Sequence, residues 1–580
     1  MSAITIGAFS DKGAKPENED SYGVMFPEKA QEMTKGIAVA LADGMSGCQA
    51  AKTASETCVK CLLLDYFSTP DSWSVKKSVS KILLATNSWM FGQGQAVYES
   101  DLGMVSTLSA MVLKSGSAYL FHIGDSRISL LRDNVIEQLT TDHKYGKSNY
   151  LTRAMGAGKN LEIDYNVIDV QQGDIFILTT DGVHDFVKTS EIKNALTQNR
   201  DDMDAAARQI CDKALVGGSA DNLTCQIIRI DKAPDLRTSP YFSARNRLPF
   251  PPPLETGMLL EGYKVVRELH ANARSQVYLA QDISKDISKD ISKDISKDMK
   301  TGELVALKTP SENFNDDVTY MESFHREEWI GRQINSPHIL KIMPPRGPRK
   351  FFYYVTEYLE GQTLREWIND HPDPDMAKVR DILRQLIKGL RSMHRLDMVH
   401  QDLKPENIMI DAAGTVKIID FGAVKVASVA EGKQRAFAPM PAGAIDYMAP
   451  EYLLYGDGDK RSDLYSLGVV IYEILTHKLP YGKGFSSLRL VKQLDYISAI
   501  QVTSDIPPWI DLVLKKAVKK DPRERYQSFS EFERDFTHPP ATTEKQRFSP
   551  LLERNPLLFW RGLSFLLALM LIFSLLMSRI

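Results

Sequence analysis

The chain has 580 residues, 43% of them hydrophobic, with a formal net charge of −3. That length points to several domains at roughly 100–200 residues each. The apolar fraction is that of folded protein, and the near-balanced charge gives no reason to expect nucleic acid as a partner. The five cysteines, Cys48, Cys58, Cys61, Cys211 and Cys225, include one C-x-x-C, but it sits in a helical pattern with no second pair or nearby histidine. They are read as reduced thiols in a reducing compartment rather than as a zinc site. The opening MSAITIGAFSDKG lacks a charged-then-apolar leader, so no secretion is expected.

Residues 1–232 read as a first domain. A strand over 4–9 leads into SDKGAKPENEDSYG, Asp43-Gly44-Met45 follows the apolar run 37–41, and Ser106-Thr107 precedes the run 108–113. His122-Ile123-Gly124-Asp125, Leu151-Thr152-Arg153-Ala154-Met155-Gly156, Thr180-Asp181-Gly182 and Ala220-Asp221-Asn222 come next. Apolar strands at 118–123, 175–179 and 224–230 alternate with amphipathic helical patterns at 50–66 and 204–215. One Asp-Gly alone is a turn; the ordered set is not explained that way.

This set resembles the PPM (type 2C) metal-dependent protein phosphatases. The resemblance implies a four-layer αββα sandwich and two or three Mg²⁺ or Mn²⁺ ions. Such ions take hard oxygen ligands and acidify a water into a nucleophile. On the family pattern Asp43 bridges two metals, the Gly44 carbonyl adds an oxygen, and Asp20, Asp181 and Asp221 supply carboxylates. Glu19 acts through a bound water, and Asp125 matches the position associated with a third metal. With no cysteine or histidine in the set, zinc is disfavoured. Lys15 stands where the family usually has an arginine on the substrate phosphate, which keeps the charge but loses the bidentate fork. Met45 stands where many members have a histidine acid. A loop-rich flap is expected over 144–170.

Residues 233–262 are proline-rich, with Pro249 and Pro251 to Pro253, and read as a stiff linker.

Residues 263–537 are organised around VHQDLKPENIMIDAAGTVKIIDFG. His400-Gln401-Asp402, Lys404, Asn407 and Asp420-Phe421-Gly422 resemble the H-R-D-x-x-x-x-N and D-F-G segments of the Ser/Thr protein kinases. The resemblance implies a two-lobed domain using ATP and one or two Mg²⁺ or Mn²⁺ ions. Asp402 takes the proton of the substrate hydroxyl and Lys404 lies by the γ-phosphate, while Asn407 and Asp420 hold metal, since phosphoryl transfer rests on positioning and charge neutralisation. For ATP, Val277, Glu357 and Lys308 of Val305-Ala306-Leu307-Lys308 are implicated, with Thr356 as gatekeeper. Glu327 is the best partner for Lys308, and Glu328 is its rival. Asp463 braces the catalytic loop, and Arg525 pairs with Glu451.

Two departures stand out. The three glycine positions of the phosphate-covering loop hold His270, Asn272 and Ser275. In H-R-D the arginine is Gln401, and Ala444 replaces the usual activation-segment threonine, so no switching by loop phosphorylation is expected. Residues 282–298 carry four tandem copies of D-I-S-K, read as an insertion in a hairpin.

After a juxtamembrane stretch, 538–555, residues 556–578 form an apolar run long enough for a transmembrane anchor once Arg561 snorkels. The positive flank on its N-terminal side places both domains in the cytoplasm, on the cell inner membrane. The whole reads as a multidomain α+β, bacterial-type bifunctional enzyme. It removes phosphate from phosphoserine and phosphothreonine in proteins and phosphorylates protein Ser/Thr, with itself among the candidate substrates. A phosphatase regulated by an ATP-binding pseudokinase and a membrane-held signalling scaffold are the alternatives.

Overall fold

The apolar runs of the N-terminal part pair into two antiparallel sheets stacked face to face. In the computed structural model the described residues are 3–28, 31, 34–98, 102–145, 150–232, 248–271, 274–283, 302–311, 318–345, 347–431, 445–539 and 556–577. The chain divides into two compact units. The first is Met1–Arg247 with the short pieces Leu396–Met398 and Lys425–Ala436, and the second is the remainder.

The first unit contains β1 (Ala3–Asp11), β2 (Asp20–Met25), β3 (Ile37–Asp43), β4 (Leu108–Lys114), β5 (Ser117–Ile123), β6 (Arg127–Arg132), β7 (Val135–Gln138), β8 (Asp164–Asp169), β9 (Ile175–Thr179) and β10 (Leu223–Lys232). One sheet runs β1-β10-β9-β6-β7 and the other β2-β3-β4-β5-β8. Val39, Leu41, Met111 and Leu120 of the second sheet interdigitate with Ile128, Phe176, Leu178 and Ile228 of the first. Helices α1 (Ala51–Ser68) and α2 (Val75–Val97) cover one outer face with Ala54, Cys58, Leu62, Val79 and Leu83. Beyond the short α3 (Asp181–His184), α4 (Thr189–Gln198) and α5 (Met203–Val216) cover the other face with Leu196, Ile210 and Cys211. The layers are therefore αββα. β3 is covered on both faces, which is why it reads as a continuous apolar run rather than an alternating one.

Only part of the expected flap is a loop. Lys144 bridges to Leu151, and residues 164–169 form β8 on the edge of the second sheet. β8 is half exposed, so its sequence lacks the apolar alternation that would have announced it.

In the second unit β11 (Leu259–Leu260), β12 (Tyr263–Ala271), β13 (Ser275–Asp282), β14 (Leu304–Pro310) and β15 (Tyr354–Glu357) form one sheet in that order, accompanied by the helix Val318–Gln333. A helical part follows, with Met376–Arg395, Lys460–Thr476, Pro508–Ala517 and Phe529–Thr537. Residues Ser462 to Thr476 are buried without a break, so this helix is central and its polar groups need partners.

One boundary is corrected. Residues 248–262 do not behave as linker: Phe352 N–H donates to the Pro249 carbonyl at 2.9 Å, Leu254 is buried, and β11 pairs with β12. Proline supplied acceptors and apolar surface here rather than a spacer. The transmembrane expectation is not carried either. An α-helix does form over Pro556–Met577, with Trp560, Phe565, Leu566, Leu567 and Met570 exposed, but among the described residues no helix is long and apolar enough to cross a membrane. Of the D-I-S-K repeat, only Asp282 and Ile283 fall within the described residues; Asn272 and Ala444 lie outside them.

Two candidate active sites

The carboxylates of the first unit gather where strands end. Asp20 opens β2 and Asp43 closes β3, and the two are directly paired across the sheet. Asp181 starts α3 just after β9, and Asp221 precedes β10. A Cβ on Gly44 would come 2.3 Å from the Ala51 carbonyl oxygen, so only glycine lets the chain turn there. Asp20 Oδ2 accepts from Thr224 Oγ1 at 2.6 Å and Thr180 Oγ1 at 3.0 Å, while its Oδ1 is buried without a partner. Burial pushes the Asp20 carboxyl up to about 7 against those two hydroxyls. Burial, then Asp20 and the other aspartates, holds Asp43 well above the carboxylate range, and burial and Asp125 raise Asp181.

Cations border the cluster. Lys15 Nζ lies 3.0 Å from Asp221 Oδ1 and donates to Ser46 Oγ at 2.6 Å. Lys144, which the sequence did not single out as a site residue, places its Nζ 2.8 Å from Asp125 Oδ2. Ser46 Oγ is 3.5 Å from Glu19 Oε2, so Glu19 stands beside the Lys15 contact.

In the second unit Lys308 Nζ lies 2.6 Å from Glu327 Oε1, whereas Glu328 pairs with Arg349 at 2.9 Å. The rivalry between the two glutamates is resolved for Glu327. Burial would lower the Lys308 ammonium, but Glu327 and Asp420 raise it. Asp420 is held below the usual range: burial would raise it, and Lys308 and the Gly422 amide outweigh that. Arg326 on the helix Val318–Gln333 donates to the Gly422 carbonyl at 3.2 Å, a link the sequence reading missed. Asp402 Oδ2 receives Lys404 Nζ at 2.9 Å and Asn407 Nδ2 at 3.0 Å, and its Oδ1 is buried with no partner.

The catalytic loop is braced from below. Asp463 accepts the amides of His400 at 2.9 Å and Gln401 at 3.0 Å, and also receives His394 Nε2 at 2.8 Å. Gln401 holds a positive φ of 68°, a strained backbone that this carboxylate fixes. Val277 sits opposite Lys308 across β13 and β14. Glu357 is differently employed than expected: its carboxylate is 2.7 Å from Lys417 Nζ and its amide donates to the Lys341 carbonyl, which leaves its own carbonyl facing Thr356 Oγ1.

Residues 15–217 match the Protein phosphatase 2C family, and residues 295–537 match the Protein kinase domain family. The chain joins a PP2C-type Ser/Thr phosphatase domain to a Ser/Thr protein kinase domain. It is similar to the serine/threonine-protein kinase PrkC of Bacillus subtilis, 29% identical over 275 residues covering 47% of this chain and 40% of that protein. PknL of Mycobacterium tuberculosis is 31% identical over 278 residues, 47% of this chain and 64% of that protein. The chain thus spans less than two thirds of these relatives. Among solved structures, a Mycobacterium tuberculosis serine/threonine phosphatase, PstP/Ppp, is 26% identical with a TM-score of 0.34, covering 39% of this chain and 99% of its own. The catalytic domain of PstP, solved in complex with 2 manganese ions, is 27% identical with a TM-score of 0.34, covering 39% and 97%.

In the phosphatase domain the donor set is all oxygen, and Asp20 Oδ1 is an orphaned buried acceptor. Asp20, Asp43, Asp181 and Asp221 therefore fit hard divalent cations. Among the described residues no three His, Cys, Asp or Glu side chains make a ready chelating group, so each ion would draw on one or two carboxylates and on water. Asp125 differs from them in carrying on its Oδ2 the nearly buried ammonium of Lys144.

Proposed function

We propose that the chain is a bifunctional signalling enzyme that hydrolyses phosphoserine and phosphothreonine in proteins and phosphorylates protein Ser/Thr from ATP. The observation that supports it best is that both catalytic carboxylate sets are assembled, each with one buried, unpartnered oxygen, Asp20 Oδ1 and Asp402 Oδ1.

In the phosphatase domain bound Mg²⁺ or Mn²⁺ would supply an acidified water and charge neutralisation. Asp20, Asp43, Asp181 and Asp221, with the Gly44 carbonyl, would hold the ions. Lys15, whose ammonium is raised chiefly by Asp221 against its desolvation, offers a cation to the substrate phosphate at the rim. In the kinase domain the free Asp402 oxygen accepts the proton of a Ser or Thr hydroxyl as the hydroxyl oxygen bonds the γ-phosphorus and the bond from that phosphorus to the ADP oxygen breaks. Lys404 offers charge to the transferring group. Lys308, fixed by Glu327, faces the α- and β-phosphates, and Asn407 and Asp420 would hold the metal.

A second reading, an ATP-binding pseudokinase that regulates the phosphatase, is favoured by β12 continuing to Ala271 through His270, one of the three positions where the phosphate-covering glycines are absent. Opposing activities in one chain suit control of one phosphorylation state, with the kinase domain itself among the candidate substrates. Attachment to a membrane through residues 556–577 is a proposal that rests on the sequence alone; retention in membrane pellets washed with carbonate would test it.

The test of function is paired. Phosphate release from a phosphothreonine peptide with Mn²⁺ should vanish in Asp43→Asn and persist in Asp402→Asn. Peptide phosphorylation from ATP should show the reverse. Loss of neither activity in its own variant, or kinase silence in both, would reject the bifunctional reading.

A further inference from the structure

The Lys144 ammonium is set among phosphatase-site carboxylates. Its Nζ lies 2.8 Å from Asp125 Oδ2, 3.8 Å from Asp181 Oδ2 and 3.8 Å from Asp185 Oδ2. The side chain is only 14% exposed and that of Asp125 7%, so this is no surface pair exchanging freely with water. The backbone holds it there. Lys144 bridges to Leu151, Thr152 N–H donates to the His143 carbonyl at 2.7 Å, and His143 N–H donates to the Gly124 carbonyl at 2.8 Å. That last bond ties the residue before Lys144 to the one before Asp125. Asp185 is shared with Arg127, 3.7 Å away, so a second cation already screens this side.

A divalent ion on Asp125 needs its oxygens at roughly 2.0–2.2 Å. An ammonium on the same carboxylate competes for that oxygen and repels the ion across a poorly solvated gap. Lysine also differs from a metal in kind: it brings one positive charge and three donors, and no open coordination position on which a water could be acidified.

We propose that Lys144 is an internal cation that takes up Asp125, so that the phosphatase domain holds two divalent ions and excludes a third. This rests on the phosphatase reading of the site. Asp20, Asp43, Asp181 and Asp221 are left for the two ions, while Lys144, held by its bridge to Leu151, joins the carboxylate cluster as a fixed charge.

The test counts ions rather than turnover. Full-length chain carrying Asp420→Asn, which removes a kinase metal ligand, is equilibrated with Mn²⁺ without nucleotide, and bound manganese is measured per chain. The expected counts are two for this protein, three when Lys144→Met is added, and two again when Asp125→Asn is added to that. Asp125→Asn alone should leave the count at two, which keeps the test decisive should Lys144→Met fail to fold. Three ions without Lys144→Met, or a drop from three to two on Asp125→Asn alone, would overturn the proposal. A folded Lys144→Met chain still binding two would also overturn it. No bound manganese at all would instead overturn the metal-dependent phosphatase reading on which it stands.

Discussion

Asp20 and Asp43 face each other as a direct cross-strand pair between β2 and β3, two carboxylates where like charges destabilise a sheet. Burial raises both, with Asp20 adding to the rise at Asp43 and Asp181 and Asp221 adding to it at Asp20, and the arrangement makes sense around cations. Saturating Mn²⁺ is expected to raise the melting temperature of the phosphatase domain by several degrees, as ligand binding to the folded state must. Asp43→Asn should melt higher than the parent without metal and gain little from Mn²⁺. Equal Mn²⁺ shifts in the two proteins, read by scanning calorimetry, would contradict the assignment.

The Lys308–Glu327 pair makes a separable claim about the kinase domain. A hydrogen bond to a charged group contributes roughly 1.5–3 kcal/mol, so Glu327→Gln should lower kcat/KM for ATP by about 10- to 100-fold. Glu328→Gln is expected to act on stability through Arg349 and to spare ATP use. Steady-state kinetics with a fixed peptide acceptor distinguishes the two.

Glu451 and Arg525 form an ion pair at 2.6 Å with side chains 4% and 0% exposed. Removing one partner of such a pair costs about 3–5 kcal/mol. Denaturant unfolding of Glu451→Ala should show a loss of that order in the kinase domain, far more than an exposed pair such as Lys60–Glu56 would give.

His122 is buried between Ser109 Oγ and the Thr141 carbonyl, and burial, then His143, lowers its imidazole to about 4. The unfolded chain takes up a proton near 6.5 that the folded chain refuses. The stability this contributes is therefore complete above about pH 6.5 and is lost as pH falls toward 4. Relative to His122→Gln, the parent should lose about 1.4 kcal/mol per pH unit over that window. A pH-independent difference in chemical denaturation would refute it.

Much of this was legible from the chain. Asp20, Asp43, Asp181 and Asp221 are legible through the resemblance of their motifs to the PPM phosphatases, and Asp402, Lys404, Asn407 and Asp420 through the resemblance to the kinase H-R-D and D-F-G segments, whose spacing has a chemical reason. Lys144 is not, since a lysine in a polar stretch carries no periodic signal and its pairing with Asp125 depends on long-range backbone contacts such as the bridge to Leu151. Residues 248–262 read differently for a related reason: proline content marks stiffness but does not show that Leu254 will join the core of the kinase-domain sheet or that the Pro249 carbonyl will accept from Phe352. Glu357 was assigned from its place after the gatekeeper, and only the fold shows Lys417 holding its carboxylate.

The central claim, that two opposing phosphoryl chemistries occupy one chain, is tested most directly by radiolabel transfer from γ-³²P ATP to the chain carrying Asp43→Asn. The expected result is label on the protein that is absent when Asp402→Asn is added, and that is removed on mixing with Asp402→Asn chain whose phosphatase domain is intact. Label that persists after mixing would contradict the claim that the phosphatase domain acts on the kinase product, and absence of any label with Mg²⁺ or Mn²⁺ would contradict an active kinase domain.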